Sequence, residues 1–208
     1  MYVYRDQLEP ELEALGDFLK KGDVFLDVGA NAGVFSMKAA QSVGEEGVVV
    51  AVEPTPHMAA RLQANAFVNE FSNVRVRVCC ASDSSGFADF FMNRSAPNSF
   101  SLIKEKDSSA FSSLTVTLDW LVINEGLERL DYLKIDAEGA EGMILEGAKE
   151  AILKFRPLIQ IEVNKQDPDP QFAQYRKWQS HQGSANTLFI PEESECNQIA
   201  KDRGWSCD

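Results

Sequence analysis

Short apolar runs of strand length, alternating with segments of helical period, restrict the fold of this chain more than any other feature. Val24-Phe25-Leu26-Asp27-Val28, Val48-Val49-Val50-Ala51-Val52, Tyr132 to Ile135 and Pro157 to Val163 are such runs. Strands that are apolar on both faces belong to parallel sheets covered by helices. Val74, Val76 and Val78 alternate with Arg75 and Arg77, which predicts a half-exposed strand. Between these runs lie helical patterns. Leu8, Leu12, Leu15 and Leu19 share one face of a helix over 8–20, and Val34 to Val43 forms another. A third opens at Pro54-Thr55-Pro56, with proline early where it is tolerated. Leu118 to Asn124 and Glu141 to Lys154 complete the helices of the core. Strand and helix at this pitch mean βαβ units: an α/β fold with a mostly parallel, doubly wound sheet and helices on both faces.

The rhythm breaks over residues 84–117, where serines, Gly86, Pro97 and short alternating runs predict a β-hairpin insertion after the third strand. Beyond Val163 the pattern weakens. Phe172 to Gln182 is expected as a helix, Thr187 to Ile190 as a strand, and 192–208 as a tail. The whole chain, 1–208, is expected to form a single domain, with its core over 23–164.

Composition narrows the partners. The 208 residues include 32 acidic and 20 basic side chains, for a net charge of −12. Nucleic acid and anionic membranes attract positive fields, so neither is an expected partner. No apolar run approaches the roughly 20 residues of a membrane-spanning helix. The N-terminus lacks a basic region followed by an apolar one, so no secretory signal is expected and the location is read as cytoplasmic. Cys79, Cys80, Cys196 and Cys207 have no zinc-ligand spacing.

Open α/β sheets bind ligands at the C-terminal ends of their strands. The first such end is Asp27-Val28-Gly29-Ala30-Asn31-Ala32-Gly33, a glycine turn leading into a helix whose free N–H groups suit a carboxylate or phosphate. Glu53 ends the second run, 20 residues after Gly33, where a carboxylate can accept from both hydroxyls of a ribose. The dinucleotide pattern GxGxxG is absent, since Asn31 stands where the second glycine admits a pyrophosphate. That substitution argues against a nicotinamide-dependent oxidoreductase. No GxxxxGK[ST] loop occurs either. A nucleoside without phosphates fits better, and S-adenosylmethionine is one.

Five segments in order carry a resemblance. They are DVGANAG at 27–33, Glu53-Pro54, Thr117-Leu118-Asp119, LKIDAEGAE at 133–141, and Arg156-Pro157 followed by Ile161-Glu162. The set resembles the FkbM family of S-adenosylmethionine-dependent methyltransferases over about residues 23–164. The resemblance implies a class I methyltransferase, Rossmann-like fold and methyl transfer to oxygen on sugars or other secondary metabolites. It implies that Gly29, Ala30, Asn31 and Gly33 hold the methionine end of the cofactor and that Glu53 holds the ribose. Asp27 would support the loop or meet the amino group, and Ala81, Ser82 and Asp83 would lie near the adenine.

Asp136, at the end of the fourth buried run, would face the sulfonium. Methyl transfer is an in-line displacement, so positioning does most of the work. A hydroxyl is a poor nucleophile, and a general base helps. Asp136, Glu138 and Glu162 are the candidates. Glu141 is read as a helix-start carboxylate. Asp136, Glu162 and Asn164 would also serve as oxygen ligands for Mg²⁺, but no metal is expected. His57 and His181 are read as solvated or capping. Phe87, Phe90, Phe91 and Phe100 are read as packing residues, and Pro97 to Leu102 as either part of an acceptor pocket or a surface loop. The partner is expected to be a small-molecule acceptor. The competing reading is a methyltransferase fold that binds cofactor without catalysing transfer.

Overall fold

The computed structural model describes residues 10–93, 100–101, 108–137, 139–162, 170–181 and 184–207. The elements run α1 (Pro10–Phe18), β1 (Val24–Val28), α2 (Val34–Val43), β2 (Val48–Val52), α3 (Pro56–Val68), β3 (Val74–Arg77) and β4 (Cys80–Ala81). Then follow β5 (Gly86–Asn93), β6 (Phe100–Ser101), β7 (Ser108–Val116), α4 (Leu118–Asn124) and β8 (Tyr132–Ile135). The chain continues through α5 (Glu141–Glu146), α6 (Lys149–Phe155), β9 (Leu158–Glu162), β10 (Tyr175–Gln179), β11 (Asn186–Pro191), α7 (Cys196–Asp202) and β12 (Ser206–Cys207).

The main sheet has the order β12-β10-β11-β9-β8-β1-β2-β3. From β9 to β3 its strands are parallel, and β11, β10 and β12 extend it antiparallel. A second sheet has the order β4-β7-β5-β6, with β5 and β7 antiparallel along Gly86–Asn93 and β4 parallel to β7.

Alternation along the strands divides the core in two. Phe25, Val49, Ala51 and Tyr132 pack with residues of α1, α2, α3 and α7. Leu26, Val50, Val52, Leu133 and Ile135 pack with residues of α4, α5 and α6. Each fully buried large apolar side chain contributes about 1.5–3 kcal/mol, which is why strands carrying them on both faces sit inside. The edge strand β3 is held to α4 by Arg77, whose guanidinium donates to both carboxylate oxygens of Glu125 at 2.5 and 2.7 Å. Among the described residues, no helix is long and apolar enough to cross a membrane.

Four expectations need correction. The helix predicted over 141–154 is two helices, α5 and α6, broken at Gly147. A Cβ there would lie 2.0 Å from the Ser82 carbonyl oxygen, and the Gly147 carbonyl accepts from the Asp119 N–H at 2.9 Å. The helix expected over 172–182 is the strand β10. Gln174 takes a left-handed φ of 62° just before it, and Trp178 turns into the core. The 192–208 segment is not a tail: α7 buries Cys196 and Ala200, Trp205 meets Phe18 at a tilt of 51° with ring centroids 5.4 Å apart, and β12 joins the sheet. Phe87 does not pack, being 81% exposed. Phe90, Phe91, Phe100 and most of Pro97–Leu102 carry expectations that lie outside the residues whose side chains are described.

Candidate functional site

A cleft of about 310 Å³ opens at the C-terminal ends of the parallel strands. Its lining includes Asp27, Val28, Gly29, Ala30 and Asn31 from the first turn, Glu53 and Pro54 after β2, and Cys80 and Ala81 of β4. Lys134, Asp136, Ala137, Ala140 and Ile144 line it from β8 onwards, and Glu162 from the end of β9. The apolar part of its wall includes Val34 and Phe35 of α2.

The glycine turn is shaped by backbone geometry. Gly29 (φ 77°), Asn31 (φ 49°) and Gly33 (φ 87°) are all left-handed. The Gly29 and Ala30 N–H groups donate to the Val52 carbonyl at 3.0 and 3.1 Å, which ties the turn to β2. Asn65 of α3 donates its side-chain amide to the Ala32 carbonyl at 2.8 Å. Gly33 falls outside the lining. A Cβ there would come 2.7 Å from Leu62 Cγ, so this glycine admits α3 to the turn rather than a ligand.

Glu53 is 5% exposed and already engaged. Its Oε2 accepts from the Asn31 N–H at 2.8 Å and its Oε1 from the Thr55 N–H at 2.9 Å. An ionised carboxylate offers about four acceptor positions, so two remain for a ligand. Glu141 plays a comparable part on the other side. Its Oε1 accepts from the N–H groups of Ala137 and Gly139 at 3.0 and 3.3 Å, which fixes the turn after β8. A carboxylate in the first turn of a helix also suits the dipole.

Asp27 is fully buried. Its Oδ2 accepts from the Ser36 hydroxyl at 2.6 Å, while its Oδ1 has no hydrogen-bond partner and lies 3.6 Å from Lys134 Nζ. Burial pushes its carboxyl above the ordinary aspartate value, and the Lys134 charge and the Ser36 hydroxyl oppose that push. Asp136 is partly exposed, and its Oδ2 accepts from Lys134 Nζ at 3.1 Å. Lys134, part of the LKIDAEGAE segment but given no role from sequence, thus sits 3% exposed between two carboxylates. The one sequence signal for it was its place in a run read as covered on both faces, where a lysine needs a counter-charge.

Of the residues expected from sequence, Asp27, Gly29, Ala30, Asn31, Glu53, Ala81, Asp136 and Glu162 converge on the cleft. Ser82 and Asp83 do not line it; their side chains hydrogen-bond to each other at 3.3 Å. Glu138 and Asn164 lie outside the described residues. His57 is exposed on α3 and His181 is exposed beside Ser180. Among the described residues, no trio of His, Cys, Asp or Glu is placed to share a metal ion.

Burial raises the thiols of Cys79 and Cys80 to about 11 and about 12. The thiolate is the reactive form. Iodoacetamide at pH 8 is therefore expected to label the exposed Cys207 first and to reach Cys79 and Cys80 only after unfolding. Peptide mass mapping before and after denaturant checks this, and early labelling at Cys79 or Cys80 would refute it.

The parallel sheet, the glycine turn and the carboxylate just after β2 together suit a nucleoside ligand. The fold is that of the class I S-adenosylmethionine-dependent methyltransferases. The family described as Methyltransferase FkbM domain matches residues 27–185, and the chain belongs to it.

The methyltransferase sdnD of Sordaria araneosa is 27% identical over 163 residues, covering 64% of this chain and 62% of its own length. An arsenite methyltransferase of Halobacterium salinarum is 39% identical over 57 residues, covering 27% of this chain and 15% of its own. The chain thus spans less than two thirds of either curated relative. Among solved structures, an FkbM methyltransferase from Methylobacillus flagellatus superposes with a TM-score of 0.54 at 17% identity, over 83% of this chain and 44% of that one. An rRNA methylase from Streptococcus thermophilus superposes at 0.52 with 10% identity, over 88% and 93%. At these identities the likeness is one of fold. Because an rRNA methylase shares that fold, the fold itself does not exclude a nucleic-acid acceptor.

Proposed function

We propose that the chain transfers the methyl group of S-adenosylmethionine to a hydroxyl of a small molecule, a sugar or another secondary metabolite. The observation that carries this reading is the placement of Asp136 and Glu162. β8 and β9 are parallel in the register Ile135↔Ile161, so the next residue of each is a carboxylate on the rim of one cleft. Two carboxylates there suit a reaction in which a hydroxyl must be oriented and lose a proton. When bound, the cofactor supplies an electrophilic methyl on a sulfonium.

In this reading the backbone of Gly29, Ala30 and Asn31 holds the methionine end, and Asp27, tied to Ser36 and Lys134, supports that turn. Glu53 accepts from the ribose hydroxyls, and Ala81 lies against the base. Asp136 orients the acceptor hydroxyl, and Glu162 or Asp136 accepts its proton. The carboxylates lining the cleft and the net charge of −12 disfavour a polyanionic acceptor.

Tritiated methyl transfer into a cell extract, fractionated into small molecules and RNA, tests the proposal. Label in the small-molecule fraction, base-stable as in a methyl ether, is the expected result. Label confined to RNA would overturn it. Glu53→Ala is expected to weaken S-adenosylmethionine binding by about tenfold or more, since a hydrogen bond to a charged group is worth about 1.5–3 kcal/mol. Titration calorimetry measures it, and an unchanged affinity would remove Glu53 from the ribose.

A further inference from the structure

Lys134 is the least expected group in the cleft. On the parallel pair β1–β8 it stands directly beside Asp27, and it shares a face of β8 with Asp136, two residues on. It is 3% exposed, with Nζ 3.6 Å from Asp27 Oδ1 and 3.1 Å from Asp136 Oδ2. The Phe35 ring of α2 covers it, with Nζ 4.7 Å from the centroid. Ser36, on the same helix, holds the other Asp27 oxygen. A buried carboxylate needs a partner to remain charged, and a partly exposed one needs a donor to fix its orientation.

We propose that Lys134 is a positioning residue of the methyl-transfer site, keeping Asp27 ionised and Asp136 oriented so that the cleft favours a cationic sulfonium over the neutral thioether product. It touches neither ligand in this scheme and acts through the two carboxylates. The inference rests on the cofactor occupying this cleft, but not on the identity of the acceptor.

The readout follows from the chemistry. S-adenosylmethionine and S-adenosylhomocysteine differ by one methyl and one positive charge, so the ratio of their dissociation constants isolates the field at sulfur. A mere loss of packing weakens both ligands together and leaves the ratio unchanged. Removing the ammonium has two opposed consequences. Its repulsion of the sulfonium disappears, but Asp27, faced then among the described residues by Ser36 and by the like charge of Asp136, is driven toward its neutral form. These changes cancel to first order. What remains is the loss of the donor that fixes Asp136, so the preference for the sulfonium falls.

The experiment is calorimetry with both ligands on the wild-type chain and on Lys134→Met, Lys134→Arg and Asp27→Asn, at pH 7. Lys134→Met is expected to lower the preference for S-adenosylmethionine by about fivefold at pH 7, the size of a displaced surface charge interaction. Lys134→Arg should retain the wild-type ratio. Asp27→Asn, which keeps the ammonium unbalanced, should lower the ratio as well, and it tests the proposal even where Lys134→Met fails to fold. Ratios that stay at the wild-type value in Asp27→Asn or in a folded Lys134→Met would overturn the proposal, as would a rise in Lys134→Met at pH 7. Failure of the wild type to bind either ligand would instead overturn the placement of the cofactor, and this inference with it.

Discussion

Replacing Gly29 with alanine is expected to remove most of the folding stability of this protein. Gly29 sits where the first turn leaves β1 and passes directly against the end of β8. A Cβ built there lies 1.8 Å from the Asp136 carbonyl oxygen and 2.9 Å from its carbonyl carbon. Both atoms are backbone, so no side chain can rotate away. The Asp136 N–H is meanwhile tied to the Val28 carbonyl at 3.1 Å, which leaves the two strand ends no room to part without breaking the ladder. A left-handed φ adds about 1–2 kcal/mol for a residue with a Cβ. Relief of the clash adds more, and a total above about 4 kcal/mol belongs to the exceptional class of single substitutions. Domains of this size hold about 5–15 kcal/mol in all. Urea unfolding followed by circular dichroism measures the loss. Gly22→Ala is the matched control, because Gly22 has a φ of 85° but nothing within 4 Å of its Cβ position. It should cost only the backbone part. Equal losses in the two variants would show that the close approach of Gly29 to β8 carries no weight.

The second large effect is expected at Trp205→Ala, about 3–5 kcal/mol of destabilisation. Trp205 is 9% exposed and lies in the core shared by α1, α2 and α7. Its ring meets Phe18 of α1, and its backbone N–H, which an alanine would retain, closes α7 by donating to the Ala200 carbonyl at 3.0 Å. Two ion pairs, Arg203–Asp17 and Lys20–Glu195, link the same elements at the surface. Exposed pairs contribute at most about 1 kcal/mol each, so the tryptophan decides whether α7 stays docked. Thermal unfolding monitored at two wavelengths would record the change, with Trp205→Phe losing less than half as much. A midpoint unmoved by Trp205→Ala would return residues 192–208 to the status of a tail.

These two positions also mark how differently the two halves of the molecule can be read from sequence. The βαβ core was legible because a parallel strand covered on both faces must be mostly apolar, with any charge in it paired. Val24–Val28, Val48–Val52 and Tyr132–Ile135 appear with the bounds that the sequence predicts. Beyond Glu162 only the strand at Thr187–Ile190, which lies within β11, was legible. β10 reads Tyr-Arg-Lys-Trp-Gln and buries only Trp178, so its alternation is too polar to separate from a helix face. The break between α5 and α6 was hidden as well, because Gly147 is required by the Ser82 carbonyl, a group more than 60 residues away.

The candidate site divides along the same line. Its acidic residues were found because strand ends next to a glycine turn are where ligands bind in such sheets. The sequence did not reveal that Glu53 holds the N–H groups of Asn31 and Thr55, that Gly33 serves α3, or that Ser82 and Asp83 turn away. It also did not reveal Lys134 as the ammonium between Asp27 and Asp136.

By itself, then, the sequence determined the class of fold, the order of the parallel strands' elements and the carboxylate character of the cleft. These follow from local period and from residue type at the ends of runs, which are properties of short stretches. Only the tertiary structure decided which glycines admit a neighbouring backbone, where the last strand and helix dock, and which charge lies beside which. Such contacts depend on register between strands distant in the chain. In the pair Asp27↔Lys134, 107 residues separate two groups that the β1–β8 ladder places side by side.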